Sequence, residues 1–215
     1  MFTTIKEVNY AENEVVLAEM FRLRKRVFHD VLGWDVPVKG DQERDFYGSL
    51  GPVYLVWCDP ELQVLYASLR LMPTTGPTLL SDVFSDTMPN AAAFSAPGIW
   101  EATRSCVDVE SLARDFPSLS PGKAFGLLLL ATVECCLAHG IETVVANYEP
   151  RVKRIYERSS AIFDEVGRAD GYGKFPVCCG AFEISERAVS RMRERLGFSE
   201  PVFTPYSATP RQLAA

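Results

Sequence analysis

The spacing of apolar positions along the chain predicts a protein built from both strands and helices. Runs in which apolar and polar residues alternate indicate strands, and apolar residues three or four positions apart indicate helices. The predicted strands are residues 3–8, 53–58, 63–72, 99–107, 142–147 and 177–184. The predicted helices are residues 12–31, 79–84, 121–139, 150–158 and 185–196. Residues 40–50 form a polar, acidic loop between the first helix and the first hairpin.

The order of these elements predicts how they are arranged. Residues 53–58 and 63–72 flank a tight turn and form an antiparallel hairpin, whereas the second half alternates strand, helix and strand. The helix that begins after Ser120 is apolar on nearly every side, so it must be buried. We therefore expect an α/β fold, a three-layer sandwich around a mixed central sheet. It is expected to form a single domain over residues 1–215, with a Pro-rich tail over residues 197–215.

Composition narrows the class of protein. The 215 residues include 22 Lys and Arg against 28 Asp and Glu, a formal net charge of −6, and 47% are hydrophobic. This balance excludes a disordered chain or a collagen-like fibre and argues against a nucleic-acid partner. The N-terminus lacks the long apolar stretch of a signal peptide, and the longest apolar run, residues 124–133, is too short to cross a bilayer. We therefore expect a cytoplasmic protein with no membrane partner.

The cysteines and histidines predict no metal centre. The six cysteines include two adjacent pairs, Cys135–Cys136 and Cys178–Cys179, which lack the spacing of a zinc site, and there are only two histidines. Without an export signal these thiols are expected to be reduced and to serve as small apolar core residues. The shortage of histidine directs the search for a general base to the carboxylates.

Charged residues fall where core residues are expected. Arg24 lies on the apolar face of the first helix, where it either reaches past the core to water or is held by a carboxylate. Arg70 stands alone on a semi-polar strand face, which solvent exposure would also explain. A bulge between Glu101 and Arg104 would turn both to one side of their strand, although strand ends reaching water would fit too. Together with Asp45, these charges indicate a polar site inside an apolar shell.

Several short motifs, in one order, make the chain similar to a known family. The motifs are FRLRKRVF, ERD, ASLRLMPTTGPTLLSDVF and WEATRSCVD. With the tryptophan between the first two, they contain Arg24, Phe28, Trp34, Asp45, Arg70, Phe84, Glu101 and Arg104. Over about residues 15–110 the chain resembles the acyl-homoserine-lactone synthases of the LuxI type, which make quorum-sensing autoinducers.

One position departs from the family pattern. The family's acidic loop carries a second acid three residues after the first, and this chain has Gly48 there. Asp45 must then complete its part of the site alone, or with help from Glu43 or Asp41. The departure changes the expected ion-pair network and not the reaction class.

The resemblance implies a fold and a reaction. The fold would be like that of the GNAT acetyltransferases, in which a bulged central strand opens the sheet for a phosphopantetheine arm. The substrates would be S-adenosylmethionine and an acyl thioester on acyl carrier protein or coenzyme A, with no cofactor beyond them. The methionine amine would attack the thioester carbonyl, and the carboxylate would then displace methylthioadenosine to close the lactone.

The resemblance also implies roles for particular residues. The catalytic group would be Glu101 as general base with Arg104, Asp45 and Arg70. S-adenosylmethionine would contact Arg24, Phe28, Trp34, Phe84, Thr103 and Arg104, since a sulfonium favours an aromatic face. The acyl chain would lie against Phe125, Leu128, Leu129, Val145, Ala146 and Ile155, although plain core packing explains each of these equally well. Ala146 has no hydroxyl at a position where relatives that prefer 3-oxo chains often place a threonine, which favours an unsubstituted chain.

The predicted helix over residues 150–158 carries a cluster of basic residues. Its charges are Arg151, Lys153, Arg154 and Arg158, which form a solvated face or dock an acidic carrier protein beside the pantetheine tunnel.

Two other functions remain as alternatives to the synthase. One rival is a GNAT-type N-acyltransferase that uses acyl-CoA and another amine. The other is a catalytically silent ligand-binding or sensor protein, for which Gly48 is the best argument.

Overall fold

A seven-stranded sheet forms the centre of the structure, a computed structural model that describes residues 1–205. The strands are β1 (Phe2–Ile5), β2 (Val38–Lys39), β3 (Gln42–Glu43), β4 (Val53–Cys58), β5 (Leu65–Pro73), β6 (Ile99–Val107), β7 (Thr143–Tyr148), β8 (Phe163–Ala169) and β9 (Val177–Glu183). The order in the large sheet is β1-β4-β5-β6-β7-β9-β8, and β2 and β3 form a separate ribbon. Residues 206–215 of the predicted tail lie outside the described residues.

Helices cover both faces of this sheet. They are α1 (Glu14–Arg24), α2 (Leu79–Asp82), α3 (Val109–Asp115), α4 (Pro121–Ala138), α5 (Pro150–Arg158) and α6 (Glu186–Leu196). One face packs against α4 and α6, which supply the larger apolar core. The other face packs against α1, whose buried residues meet those of β4 and β5. The predicted three-layer arrangement is confirmed.

The long helix α4 is the most deeply buried helix of the core layer. Ser120 caps it by accepting the Lys123 N–H at 3.2 Å, and Pro121 occupies its first position. Its length and apolar composition would also allow it to cross a membrane. Most of the helix is instead buried in the apolar core beside the sheet, as its all-round apolar pattern predicts.

The mixed sheet opens at one place. Neighbouring strands are antiparallel except β6 and β7, which run parallel. Within residues 1–205, that pairing joins Ile99–Glu101 to Thr143–Val145 and goes no further. Both strands continue beyond it, β6 to Val107 and β7 to Tyr148. The sheet therefore parts just after Glu101.

A bulge on β6 lies at the same place. Ser68 pairs with Cys106 and Arg70 pairs with Thr103, so one residue of β5 faces two residues of β6. Arg104 takes the extra position with a φ of 56°, the left-handed region that non-glycine residues rarely adopt. The strand is bulged as predicted, but the bulge lies at Arg104 and the residue after it and not between Glu101 and Arg104, because residues 101–103 keep regular pairing with residues 70–72.

The first predicted helix changes its winding at Arg24. Helix α1 ends there, and residues Lys25–Val31 continue as a π-helix in which the Leu32 N–H donates to the Val27 carbonyl at 3.0 Å. Such wider turns are rare and are found mostly at functional sites. This one contains Phe28, so the change of winding sets where that ring lies.

Candidate active site

A buried ion-pair cluster joins helix α1, the acidic loop and the central strands. Arg24 ends α1 and places its Nε 2.5 Å from Oε2 of Glu43 on β3. Both side chains are buried, with 1% and 0% of their surface exposed. The second oxygen of Glu43 accepts from Nε and Nη2 of Arg104 at 3.3 and 3.2 Å. Glu43 is thus the acid that assists Asp45.

Asp45 is the second carboxylate of the cluster. Its Oδ1 lies 2.5 Å from Nη1 of Arg70, and its Oδ2 lies 3.3 Å from Nη2 of Arg104 and 3.6 Å from Nη2 of Arg24. Burial alone would raise the pKa of Asp45, but Arg70 and Arg24 outweigh burial and lower that pKa below its usual value. The carboxylate is therefore ionised at neutral pH and fixes three guanidinium groups.

The departure at Gly48 has a local structural consequence. The Gly48 N–H donates to Oδ1 of Asp45 at 3.0 Å, which caps the short helical turn that follows. A Cβ at this position would lie 3.5 Å from the Tyr54 hydroxyl and 3.6 Å from Oδ1 of Asp45. Asp41, the other acid considered for this role, pairs instead with Arg22 at the surface.

Glu101 lies apart from these ion pairs, in a pocket of backbone donors. Its Oε1 accepts from the Leu80 N–H at 2.6 Å and its Oε2 from the Leu79 N–H at 3.2 Å. The side chain is fully buried, and burial raises the pKa of Glu101 to about 7, an effect that these N–H groups and Arg70 partly offset. A carboxylate with a pKa near neutrality suits a general base.

The strand register brings the predicted catalytic residues to one face. Arg70 pairs with Thr103 across β5 and β6, and its Nε donates to the Thr103 hydroxyl at 2.9 Å. Glu101 lies two residues from Thr103, so it points to the same face. The bulge turns Arg104 to this side as well, away from the α4 core that Ala102 enters.

Two aromatic rings form a wall beside the cluster. The rings of Phe28 and Trp34 stack with centroids 5.2 Å apart at 22°, and the Arg104 guanidinium lies 5.3 Å from the Phe28 centroid. Phe28 is buried, whereas 37% of Trp34 is exposed. The cation that completes the wall is Arg104. Arg24, which the resemblance predicts beside these rings as a contact of S-adenosylmethionine, is instead held in the interior by Glu43 and Asp45.

Phe84, another predicted contact of S-adenosylmethionine, is held in place by a turn that lies outside the family motifs. Tyr172 packs edge-on against Phe84 with ring centroids 4.9 Å apart. Its hydroxyl donates to the Val83 carbonyl at 2.9 Å and also bonds to the Asp86 carboxylate. The sequence signal for this turn is the segment GYGK at residues 171–174, in which Gly171 and Gly173 adopt positive φ. That segment is the turn between β8 and β9.

A small apolar cavity lies on the α4 side of the sheet opening. Its volume is about 40 Å³, and its lining includes Leu69, Ala102, Leu129, Val133, Ala146 and Tyr156. Of the residues predicted for the acyl chain, Leu129 and Ala146 therefore line it.

The other four residues predicted for the acyl chain do not line this cavity. Val145 precedes Ala146 on β7 and so points to the opposite face, where it packs with Leu80. Leu128 and Phe125 instead pack in and against the large apolar core, and Ile155 is a half-buried residue of α5. A role for these four residues in binding the acyl chain therefore stays a prediction that this cavity does not support.

The predicted docking charges lie on α5, directly after β7. Arg151 pairs with Glu149 at 2.8 Å and Lys153 with Glu165 at 3.0 Å, so both are partly neutralised. Arg154 and Arg158 are exposed. The helix thus presents a basic surface beside the opening of the sheet.

The thiols belong to the interior. All six cysteines are free and buried, and burial raises the pKa of Cys106 to about 12. Within residues 1–205, His, Cys, Asp and Glu side chains form no group of three that could hold a metal ion.

Comparison with known proteins decides the family. A family model described as autoinducer synthase matches residues 8–192. The chain belongs to the autoinducer synthase family. It is 30% identical to an acyl-homoserine-lactone synthase of Agrobacterium fabrum over 178 residues, which cover 82% of this chain and 83% of the relative. It is 37% identical to one from Rhizobium etli over 142 residues, 65% of this chain and 64% of that relative's length.

Solved structures agree with this membership of the autoinducer synthases. A CoA-dependent acyl-homoserine lactone synthase, BjaI, solved with SAM and isopentyl-CoA, superposes with a TM-score of 0.80 at 26% identity and covers 97% of this chain and 94% of its own. LasI, at 22% identity, superposes with a TM-score of 0.75 over 91% and 93% of the two chains and shows the same fold. The predicted GNAT-like α/β fold and the prediction of an acyltransferase of the acyl-homoserine-lactone synthase type are confirmed.

Proposed function

We propose that this autoinducer synthase transfers an acyl group from a thioester to the amine of S-adenosylmethionine and then closes the lactone. This proposal rests on the position of Glu101, the last residue of β6 to pair with β7. A base there lies at the point where the sheet opens, on the strand face that carries Arg70 and Thr103, with the apolar cavity beside Ala102 on the opposite face. Two substrates of different character can meet at that point.

Glu101 is proposed as the base for the first step. The ammonium of S-adenosylmethionine must lose a proton before its nitrogen can attack, and a carboxylate with a pKa near 7 can accept that proton at neutral pH. Because the side chain is fully buried, the proton would pass through a water molecule. The amine then attacks the carbonyl, the thiol leaves, and the substrate carboxylate displaces methylthioadenosine in the second step.

The neighbouring residues have supporting roles in this scheme. Phe28, Trp34 and Phe84 would enclose S-adenosylmethionine, with Thr103 and Arg104 at its polar end. Arg70 and Asp45 would fix Arg104 through the ion pairs described above. Arg24 would act from the interior, by fixing Glu43 and Asp45 and not by touching the substrate.

The acyl thioester would enter where β6 and β7 part. A cavity of about 40 Å³ fits a short chain better than a long one, and Ala146 offers no hydroxyl for a 3-oxo group. The donor would be acyl-CoA, as for the relative solved with isopentyl-CoA, or an acyl carrier protein docked on Arg151, Lys153, Arg154 and Arg158. We further propose a cytoplasmic enzyme, a single domain over residues 1–215, with no cofactor beyond these substrates and no nucleic-acid or membrane partner.

A panel of donors tests the proposal. The protein is incubated with S-adenosylmethionine and acyl-CoA or acyl-carrier-protein donors of increasing chain length, and methylthioadenosine release is measured. Release that depends on both substrates is expected. Absence of release with every donor would contradict the synthase and favour the silent sensor, for which Gly48 is the argument.

A further inference from the structure

A hydrogen bond joins Trp34 to a residue that neither the motifs nor the proposed reaction assigns. The indole Nε1–H of Trp34 donates to Oε1 of Glu149 at 3.1 Å, across 115 positions of sequence. The other oxygen of Glu149 lies 2.8 Å from Nε of Arg151, and only 14% of the Glu149 side chain is exposed. The carboxylate is therefore held on one side and offers a fixed acceptor on the other.

This bond lies across the opening of the sheet. Trp34 follows the π-helix that continues α1, and α1 packs against the half of the sheet formed by β4 and β5. Glu149 follows β7 directly and precedes the first residue of α5. The two residues thus belong to opposite sides of the place where β6 and β7 part, and their side chains meet over it.

Few other contacts fix the orientation of the indole. One face stacks on Phe28, and the backbone N–H of Trp34 donates to the Phe28 carbonyl at 2.8 Å. Stacking defines the plane of the ring but not its rotation within that plane, which the directional N–H bond supplies. With 37% of the residue exposed, loss of that bond would leave the ring free to turn toward solvent.

We propose that Glu149 is a positioning residue, which fixes the indole of Trp34 across the opening so that S-adenosylmethionine meets a preformed aromatic wall. The inference rests on the proposed function, because it assigns a purpose to the wall. Preorganisation of the ring lowers the cost of ordering it when the substrate binds, so the effect falls on binding and not on the chemical step.

Four variants test the role of Glu149. Glu149→Ala removes the acceptor, Glu149→Gln keeps an amide oxygen that accepts the indole N–H, and Trp34→Phe keeps an aromatic ring without the donor. Glu157→Ala, which removes an exposed acid from the adjoining helix α5, controls for a change of charge beside the basic surface. Glu149 makes no side-chain bond that caps α5, so Glu149→Ala leaves the start of that helix intact.

The readouts are the KM for S-adenosylmethionine, kcat, and the dissociation constant from quenching of tryptophan fluorescence in the variants that retain Trp34. For Glu149→Ala we expect KM and the dissociation constant to rise by about fivefold with kcat within about twofold, the effect of one hydrogen bond to a charged group at a half-exposed site. Glu149→Gln and Glu157→Ala should stay within about twofold of the wild type. Trp34→Phe should match the KM rise of Glu149→Ala, and the double variant should show no further rise.

Failure of the inference and failure of the proposed function give different results. If the wild type binds no S-adenosylmethionine, the proposed function fails. If the wild type binds it and Glu149→Ala binds equally well, the positioning role is wrong. Equal impairment of Glu149→Gln and Glu149→Ala would also overturn it, because the acceptor would then not be what matters.

Discussion

Arg24 and Glu43 form an ion pair that is sealed from solvent, with Nε 2.5 Å from Oε2. Both side chains are buried, and Arg24 ends α1, whose buried apolar residues pack with those of β4 and β5. Removing one partner of such a pair leaves the other charge buried without compensation, which is far more costly than breaking a pair at the surface. The cluster is therefore a structural support that fixes the guanidinium groups of Arg70 and Arg104.

Glu43→Gln should destabilise the protein by about 3 kcal/mol, since the amide removes the nearest charge partner of Arg24 and leaves Arg24 and Arg104 to share Asp45. Urea unfolding measures the change in the free energy of unfolding. Asp41→Asn is the matched control, because Asp41 pairs with Arg22 in solvent and its loss should cost only a small fraction of that amount. Equal losses for the two variants would contradict the supporting role of the buried pair.

The bulge at Arg104 stores backbone strain. Arg104→Ala and Arg104→Gly both remove the ion pairs to Glu43 and Asp45, and they differ in the cost of a φ of 56°. Because only glycine adopts that conformation freely, the Gly variant should be the more stable of the two by about 1 kcal/mol. The comparison uses urea unfolding, and a more stable Ala variant would mean that the bulge is not strained. Both variants should lose most activity.

Glycine at position 167 allows β8 to approach the segment that carries Phe84. A Cβ there would lie 2.1 Å from the Thr87 carbonyl oxygen, a contact that backbone must move to relieve. Gly167→Ala should therefore destabilise the protein and weaken S-adenosylmethionine binding. Gly48→Ala, whose Cβ meets only contacts of 3.5 Å or more, is the control and should keep both properties. Thermal unfolding and a binding titration decide between them.

Chain-length preference tests the cavity beside Ala146. Ala146→Leu should fill the space and lower kcat/KM for longer acyl donors by at least tenfold relative to the shortest, whereas Leu129→Ala should shift the preference toward longer chains. Val145→Ala removes apolar volume from the adjacent residue on the opposite face of β7. It should leave the preference unchanged. A shift with Val145→Ala, and none with the other two, would place the acyl chain elsewhere.

The pH dependence follows from the raised pKa of Glu101. In the wild type, kcat/KM should rise as pH increases through about 7, because the base must lose its proton to act. Glu101→Gln should remove that rise and lower the rate of acylation by about a hundredfold.

The same group affects stability in the opposite direction. Since folding raises the pKa of Glu101 from 4.5 to about 7, its contribution to stability is complete below pH 4.5 and is lost as pH rises through about 7. The stability difference between wild type and Glu101→Gln should therefore change across that window. A stability difference that does not change with pH would show that folding does not raise the pKa of the Glu101 carboxyl.

Sequence patterns predicted the elements whose residues alternate or repeat clearly. The strands Val53–Cys58 and Ile99–Val107 and the helix Pro150–Arg158 have the predicted bounds. Four elements were missed: β2 and β3, which have two residues each and are too short to show a period, and α3 and β8. Helix α3 is short and depends on Asp108, which accepts from the Glu110 and Ser111 N–H groups, and β8 is an edge strand with charged residues and no apolar alternation.

Some residues of the candidate site could likewise be predicted from sequence patterns, and others could not. The motif residues converge because strand register and one bulge bring them together, and both are readable from local patterns. Sequence left Glu43 and Asp41 as alternative helpers of Asp45, and only the contact of Glu43 with Arg24, 19 positions away, decides between them. The contact of Glu149 with Trp34, 115 positions away, has no local pattern that reveals it. The sequence alone shows that Val145 and Ala146 do not line the same cavity, since adjacent residues of a strand point to opposite faces of the sheet.

Measuring three products in one reaction tests most directly whether the protein acylates S-adenosylmethionine and then closes the lactone. Wild-type protein, S-adenosylmethionine and a short acyl-CoA are incubated, and free thiol, methylthioadenosine and acyl-homoserine lactone are quantified by mass spectrometry. A synthase in which the amine of S-adenosylmethionine takes the acyl group and its carboxylate then closes the ring predicts equal amounts of all three. Thiol released without methylthioadenosine, or with an acylated amine of another kind, would contradict it.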